Sequence, residues 1–299
     1  MRLDQTRIAI LERSQVEILD LAFIVLREFF FPVIALLLAL ALPLAFLNHW
    51  MISWMTVDFI EPLPIWRYLW VMSMLIYVEA PFASILATSF LGKATFFEQP
   101  TTRELVGEFF KLFGRVFWTQ LIMRGVLLVI VMVWFIPTND TASGTEWLLL
   151  FLCMGLFLLR SLRPYINEIV VLEKSPIWSR KKEQITVGKR SSRLHGPNSG
   201  DLFGRAIGVL PVILTLGLAV FGLLWFIVAT FTNDWTFGPV IVYFVIPAML
   251  WMLVAYLTVV RFLSYLDLRI RREGWEVELK MRAEANRMLD RISVGAGNA

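Results

Sequence analysis

The stretch Arg160-Ser-Leu-Arg-Pro-Tyr165 opens the longest polar interval of the chain. This interval continues through the basic runs Ser179-Arg-Lys-Lys182 and Lys189-Arg-Ser-Ser-Arg193 to Leu202-Phe-Gly-Arg205. It holds ten of the 28 Lys and Arg residues, and long apolar runs lie on both sides of it. Because Lys and Arg concentrate in the cytoplasmic loops of membrane proteins, the interval predicts the cytoplasmic side of a membrane. Every other segment is oriented from it.

Composition also indicates a membrane protein. Of 299 residues, 58% are apolar and 17% are charged, and the mean hydropathy is +0.69. A soluble domain would carry roughly 25% charged residues. The basic residues lie close to apolar runs and lack the interleaved aromatic side chains that stack on bases, so no nucleic-acid partner is predicted.

Six apolar runs predict an all-α polytopic membrane protein with six transmembrane helices: 29–47, 66–91, 118–136, 147–162, 207–231 and 240–265. Three regions follow from them. Residues 1–28 are predicted as a cytoplasmic interfacial helix, the alternative being a solvated helix that extends the first span. Residues 29–265 form the six-helix transmembrane domain, with basic cytoplasmic loops at 92–117 and 163–206. Residues 266–299 form a cytoplasmic C-terminal helix and tail, bent or broken at Gly274, although 275–282 also alternates like a strand.

The distribution of basic residues predicts the orientation. With both termini and both long loops in the cytoplasm, all Lys and Arg lie inside except Arg67 and Arg124. The reversed topology would translocate nearly all of them. An N-in/C-in arrangement is therefore predicted, and no signal peptide is expected because the first 28 residues carry charges.

A short sequence occurs twice. Leu-Phe-Gly-Arg stands at 112–115 and at 202–205, each time just before a span that leaves the cytoplasm, and Pro81-Phe82 and Pro164-Tyr165 lie upstream of the two copies. The pattern predicts an internal parallel repeat of helical pairs, with a chance match as the alternative. Its glycine could let a surface helix turn into the bilayer.

Arginines at the inner boundary are candidates for binding lipid headgroups, because a guanidinium can bind a phosphate bidentately. The alternative is an ordinary positive-inside anchor. The candidates are Arg115, Arg205, Arg190 and Arg193.

The second predicted span contains Glu79 near its middle. A charged side chain there costs roughly 2.5 to 3.5 kcal/mol, so it needs a partner, a proton or water. Arg124 on the next span is the nearest candidate, and an intramembrane Glu79–Arg124 pair is predicted. A proton- or substrate-linked carboxylate is the functional alternative. Glu168 and Glu173 are expected to pair locally with Arg160 and Arg163.

Motifs for catalysis are missing from the sequence. It has one cysteine, Cys153, and two histidines, with no nucleophile elbow, zinc motif or phosphate loop. No catalytic residue, metal site or cofactor is predicted, and the protein is not expected to be an enzyme.

The C-terminal segment Tyr265-Leu-Asp-Leu-Arg-Ile-Arg-Arg-Glu-Gly274 resembles a signature that closes many bacterial six-span membrane proteins. These include the membrane domain of glycerophosphoryl diester phosphodiesterases and related uncharacterised multi-pass families. Val170-Val-Leu-Glu173, followed by the Arg-Ser element of 189–194, is similar to a second element of that group. The residues that carry the resemblance are Asp267, Arg269, Arg271, Glu273, Gly274 and Glu173.

The resemblance implies the membrane fold and a place in the bacterial inner membrane, but no hydrolysis, because the catalytic barrel has no counterpart in this sequence. The expected function is a non-enzymatic membrane module that assembles with a protein partner at the cytoplasmic face or with membrane lipid, including anionic headgroups. The alternative is a small transporter or lipid-translocating protein that uses the Glu79–Arg124 pair.

Overall fold

The computed structural model describes residues 11–56, 62–95, 98, 100–137, 144–179 and 184–274. These residues form helices and no strand. In chain order the helices are α1 (Gln15–Glu28), α2 (Phe30–Ile52), α3 (Pro62–Ala83), α4 (Ile85–Ala94), α5 (Thr102–Val116), α6 (Val126–Trp134), α7 (Gly144–Leu162), α8 (Ile166–Leu172), α9 (Val187–His195), α10 (Ser199–Thr232) and α11 (Ile246–Glu273). Two 3₁₀ turns, Ser53–Thr56 and Gly196–Asn198, and two π-helical turns, Phe117–Ile122 and Ile241–Val245, extend or connect them.

Four helical stretches within the described residues are long and apolar enough to cross a membrane: Phe30–Thr56, Gly144–Leu162, Val187–Thr232 and Ile241–Glu273. Two bent pairs of helices also pass this test, Ile65–Ala83 with Ile85–Ala94 at 41° and Thr102–Ile122 with Val126–Trp134 at 60°. The number of candidate spans is six if each bent pair counts as one. The all-helical class is confirmed, and several long apolar helices are compatible with a multi-pass membrane protein.

The bend between α3 and α4 follows Pro81. A proline inside a helix has no N–H to donate and its ring crowds the preceding turn. The helix ends two residues later at Ala83, where the Ser84 hydroxyl donates to the Pro81 carbonyl at 3.2 Å, and it restarts at Ile85. The second predicted span is therefore two helices.

The bend before α6 is made by Gly125, which has a φ of 68°. This left-handed conformation is cheap only for glycine. The sequence prediction that Gly114 or Gly204 turns the chain is wrong, because both lie inside regular helices, α5 and α10. The two Leu-Phe-Gly-Arg copies thus end one helix and begin another.

α11 is the central helix and α10 is peripheral. Of the most apolar window in each stretch, 56% is buried for Ile241–Glu273 and 11% for Val187–Thr232. One face of α1 packs against α11, through Ile18, Leu19, Ala22 and Val25.

α11 continues without interruption past the predicted boundary at 265 and ends at Glu273. Gly274, with a φ of 66°, closes it by donating its N–H to the Ile270 carbonyl at 3.1 Å. This agrees with the predicted break at Gly274. The strand or helix alternative for 275–282, the rest of the tail, and residues 1–10 lie outside the described residues.

Candidate functional site

A cavity of about 330 Å³ lies among α1, α3, α7, α10 and α11. Most of its lining is apolar, and one end carries arginine side chains from three separate segments. We call it the arginine cavity. Its apolar wall includes Ile76, Phe157, Val209, Ile213, Leu253 and Val254, and its basic end is formed by Arg124, Arg160 and Arg261.

Arg160, in the last turn of α7, binds the backbone of α3. Its Nη1 donates to the Tyr77 carbonyl at 2.6 Å and its Nη2 to the Val78 carbonyl at 2.7 Å. Tyr77 lies four residues before Pro81, so its carbonyl has no intrahelical N–H donor. The guanidinium supplies the missing hydrogen bond and also lies 4.8 Å from the centre of the Tyr77 ring.

Arg124 lies immediately before the bend at Gly125. Its Nη2 donates to the Arg163 carbonyl at 2.6 Å. That carbonyl directly precedes Pro164, beyond the end of α7. The side chain of Arg124, which lies at the break before α6, thus binds a backbone carbonyl just beyond the end of α7.

Arg261, on α11, forms an ion pair with Glu168 on α8. Nη2 donates to Oε1 at 2.7 Å, and Glu168 is 0% exposed. This contact corrects the sequence prediction, which paired Glu168 with Arg160 or Arg163. Glu168 Oε2, Arg261 Nε and Arg160 Nε are buried atoms with no hydrogen-bond partner among the described residues.

Positive charge is in excess at this end of the cavity. Arg124 interacts electrostatically with Arg160 and Arg261, and Glu168 is the carboxylate that interacts with them. The hydrogen bonds of Arg124 and Arg160 go to backbone carbonyls, which carry no net charge. Clustered guanidiniums in an apolar cavity of this kind favour an anionic ligand.

Sequence reasoning singled out Arg124 and Arg160 separately and did not predict that they lie together with Arg261. The available signal was Pro81 itself, because a proline within an apolar helix predicts a carbonyl in need of a donor from elsewhere. An arginine at the end of another span could have been matched to it.

The predicted Glu79–Arg124 ion pair is absent, and this prediction is wrong. Glu79 is 1% exposed and accepts a hydrogen bond from Asn48 Nδ2 at 2.8 Å. The amide of Asn48 on α2 is thus its partner, while Arg124 binds the Arg163 carbonyl. Glu79 Oε1 and Asn48 Oδ1 have no hydrogen-bond partner in the described part of the chain.

Five of the six residues that carry the family resemblance lie at the end of α11, on two faces, and the sixth, Glu173, follows α8. Tyr265, Arg269 and Glu273 are spaced four apart and therefore share one face. On this face Arg190 of α9 binds Glu173 bidentately, at 2.7 and 2.9 Å, and also binds Glu273. Arg269 binds Glu273 at 2.7 Å, as the i,i+4 spacing predicts, and the Tyr265 hydroxyl donates to Glu173.

The second face of α11 carries Asp267 and Arg271, again four apart. Asp267 accepts hydrogen bonds from the Arg13 N–H at 2.9 Å, Arg271 Nε at 3.0 Å and Arg205 Nη1 at 3.2 Å. Together the two faces join the N-terminal segment, α9 and α10 to α11. The motif residues have a structural role here.

The arginines predicted to bind headgroups differ in their protein contacts. Arg115 Nη1 donates to the Lys174 carbonyl at 2.6 Å, Arg205 binds Asp201 and Asp267, and Arg190 binds Glu173 and Glu273. Arg193 is exposed. Headgroup binding by these four residues stays a prediction.

His195, one of the two histidines, is buried and has local partners. Its Nε2 accepts the Tyr165 N–H at 3.3 Å, its Nδ1 lies 2.8 Å from the Ser191 carbonyl, and its ring stacks on Tyr165. It is therefore a neutral imidazole with Nδ1 protonated. No cluster of three or more His, Cys, Asp or Glu with metal-binding geometry occurs in the described ranges.

Comparison of the chain with protein-family models, curated proteins and solved structures gives no match. The resemblance to the membrane domain of glycerophosphoryl diester phosphodiesterases stays a prediction.

Proposed function

We propose that this protein is a non-enzymatic membrane module that binds an anionic amphiphile in the arginine cavity. One observation carries the proposal: in the described part of the chain, three guanidiniums and one carboxylate meet at one end of a mostly apolar cavity. The acidic headgroup of the ligand lies against the arginines, and its apolar part lies along the remaining wall.

Energetics support a bound anion. Leaving an ion uncompensated in a low-dielectric interior costs several kcal/mol, and basic cavities between membrane helices on the cytoplasmic side bind anionic headgroups. Leu210 lines the cavity and is 44% exposed, so a chain can leave the cavity there toward surrounding lipid.

The proposed membrane arrangement fits this ligand. We infer six spans with both termini in the cytoplasm, each bent pair of helices counting as one span, in a bacterial inner membrane. Arg160 and Arg261 then lie toward the inner ends of their spans, at a depth that a lipid headgroup of the inner leaflet can reach. The alternative transporter mechanism has less support, because Glu79 and Arg124 have separate partners.

The experiment is native mass spectrometry of lipid retained by the purified protein. The variant Arg124→Gln/Arg160→Gln should lose a stoichiometric anionic lipid that the wild type retains. A matched control, Arg163→Gln/Lys189→Gln, removes the same charge from exposed positions and should retain the lipid.

A second variant guards against misfolding of the first. Leu210→Trp fills the edge of the cavity and keeps every charge, and it should also lower lipid retention. Equal retention of the same lipid by the wild type and both cavity variants would overturn the proposal.

A further inference from the structure

This inference rests on the proposed function and concerns the headgroup of the anionic amphiphile. We infer that the headgroup in the arginine cavity is a phosphomonoester, a phosphate joined to the lipid by one ester bond. The inference uses the charges and the free donors at the basic end of the cavity.

The charge count favours a dianion. Among the described residues, Arg124, Arg160 and Arg261 contribute three positive charges and Glu168 contributes one negative charge, which leaves two positive charges without compensation. A phosphomonoester carries a charge of about −1.5 to −2 at pH 7. A phosphodiester or a carboxylate carries one negative charge and would leave one guanidinium uncompensated.

The other charged groups that the structure describes near the cavity do not change this count. Arg205 lines the cavity but binds Asp201 at 3.0 Å and Asp267 at 3.2 Å. Arg271 shares Asp267 and also forms an ion pair with Glu12 at 4.0 Å, so Arg205 belongs to a separate group of paired charges. The side chain of Arg163 is exposed, and Arg124 contacts the backbone carbonyl of Arg163, which carries no net charge.

The free hydrogen-bond donors favour the same headgroup. Arg160 Nε and Arg261 Nε have no partner in the described chain but are enclosed by protein atoms, so a ligand in the cavity meets these two arginines at their other nitrogens. Arg124 uses Nη2 for the Arg163 carbonyl, so its other nitrogens can also donate. Three guanidiniums match the three terminal oxygens of a phosphomonoester, whereas a phosphodiester offers two.

The apolar wall requires that this phosphate belongs to a lipid. Free phosphate would leave the wall formed by α10 and α11 unoccupied, and burial of a chain against it contributes about 25 cal/mol per Å² of apolar area. Inorganic phosphate is therefore the control ligand, and a lipid phosphomonoester is the expected one.

The test compares the binding of two lipids with the same acyl chains, phosphatidic acid and phosphatidylglycerol, to purified wild-type protein in detergent micelles. Intrinsic tryptophan fluorescence at about pH 7.5 gives both Kd values. We expect the phosphomonoester to bind at least about tenfold more tightly, the effect of one additional hydrogen bond between charged groups. At about pH 5 the preference should shrink, because the second proton of a phosphomonoester titrates near pH 6.

Arg160→Gln should reduce the preference for the phosphomonoester at about pH 7.5, because it removes one of the two uncompensated charges. The exposed control Arg163→Gln should keep the preference. Equal affinity of the wild type for both lipids would overturn this inference and leave the proposed function intact. Binding of neither lipid would overturn both, and displacement of the lipid by inorganic phosphate at equal concentration would overturn the assignment to a lipid.

Discussion

Arg160 and Tyr77 are 83 residues apart in the sequence, yet the guanidinium of Arg160 replaces the backbone donor that Pro81 cannot supply to the Tyr77 carbonyl. Through this contact, the effect of changing Arg160 depends on whether residue 81 is a proline. Arg160, which belongs to α7, thus completes the hydrogen bonding of α3 and also lines the cavity.

The coupling can be measured. Arg160→Leu should lower the free energy of unfolding by about 1 to 3 kcal/mol, because it leaves the part-buried Tyr77 carbonyl without this hydrogen bond. In a Pro81→Ala background the cost should be smaller, since the N–H of the new residue can bind that carbonyl within the helix. Reversible unfolding in mixed detergent micelles gives the free energies for a double-mutant cycle.

Arg163→Leu is the matched control for this cycle, because it removes an exposed arginine from the next turn and should cost the same in both backgrounds. An identical cost of Arg160→Leu with and without Pro81 would contradict the assigned role.

Individual partners were the least predictable feature of the chain. The charge of Glu79 pointed to the nearest arginine on the next span, but the structure satisfies Glu79 with the amide of Asn48. Arg124 instead binds the Arg163 carbonyl, just beyond the end of α7. Charge complementarity alone predicted the wrong pair because backbone carbonyls at helix breaks compete for guanidiniums.

At the scale of the helices, a single residue, Gly125, makes the bend of 60° before α6. Gly125 adopts a φ of 68°, and a methyl group added at its Cα would meet Leu156 Cδ2 at an ordinary 3.6 Å. The glycine is therefore required by backbone conformation and not by crowding.

Gly125→Ala should destabilise the protein by about 1 to 2 kcal/mol, the cost of a left-handed conformation for a residue with a Cβ. Gly114→Ala is the control, because Gly114 lies inside α5 with no atom within 4 Å of the added methyl group. It should be neutral or stabilise the protein by about 0.5 to 1 kcal/mol. Thermal unfolding of both variants measures the two changes in stability. A larger loss of stability for Gly114→Ala than for Gly125→Ala would contradict the assignment of the bend to Gly125 and favour Gly114, the glycine of the repeat.

Helices were largely predictable from apolar runs, and their interruptions were not. The runs at 29–47, 147–162, 207–231 and 240–265 all fall on observed helices. Arg269 and Glu273, four residues apart in α11, form the contact that this spacing favours. The bend at Gly125 escaped prediction because many glycines in this chain are helical, and sequence alone does not tell which one takes a positive φ.

At the scale of the whole molecule, the arginine cavity depends on how helix faces meet. Hydrophobic periodicity tells which side of each helix is apolar, but it does not specify which helices are neighbours. Arg124, Arg160 and Arg261 come from three segments; their residue numbers differ by 36 between the first two and by 101 between the last two. Their meeting is a property of the packing around α11 and of the two proline interruptions.

The proposed six-span topology makes a prediction that a four-span topology does not share. In a Cys153→Ala background, single cysteines at Arg103, Lys189 and Phe237 report three connecting regions, and all three positions are exposed. With six spans and both termini inside, a membrane-impermeant maleimide should label only Phe237→Cys in intact cells of a bacterial host. The other two should react only after permeabilisation.

Arg103→Cys decides between the topologies because it follows the first bent pair of helices. If that pair enters and leaves on the same side, residue 103 lies outside and its cysteine reacts in intact cells, while Lys189→Cys stays protected. That pattern would replace six spans with four and move the connector containing α5 to the outer surface. Protection of both Arg103→Cys and Lys189→Cys would instead place the basic connectors on one side of the membrane, where the positive-inside tendency puts them.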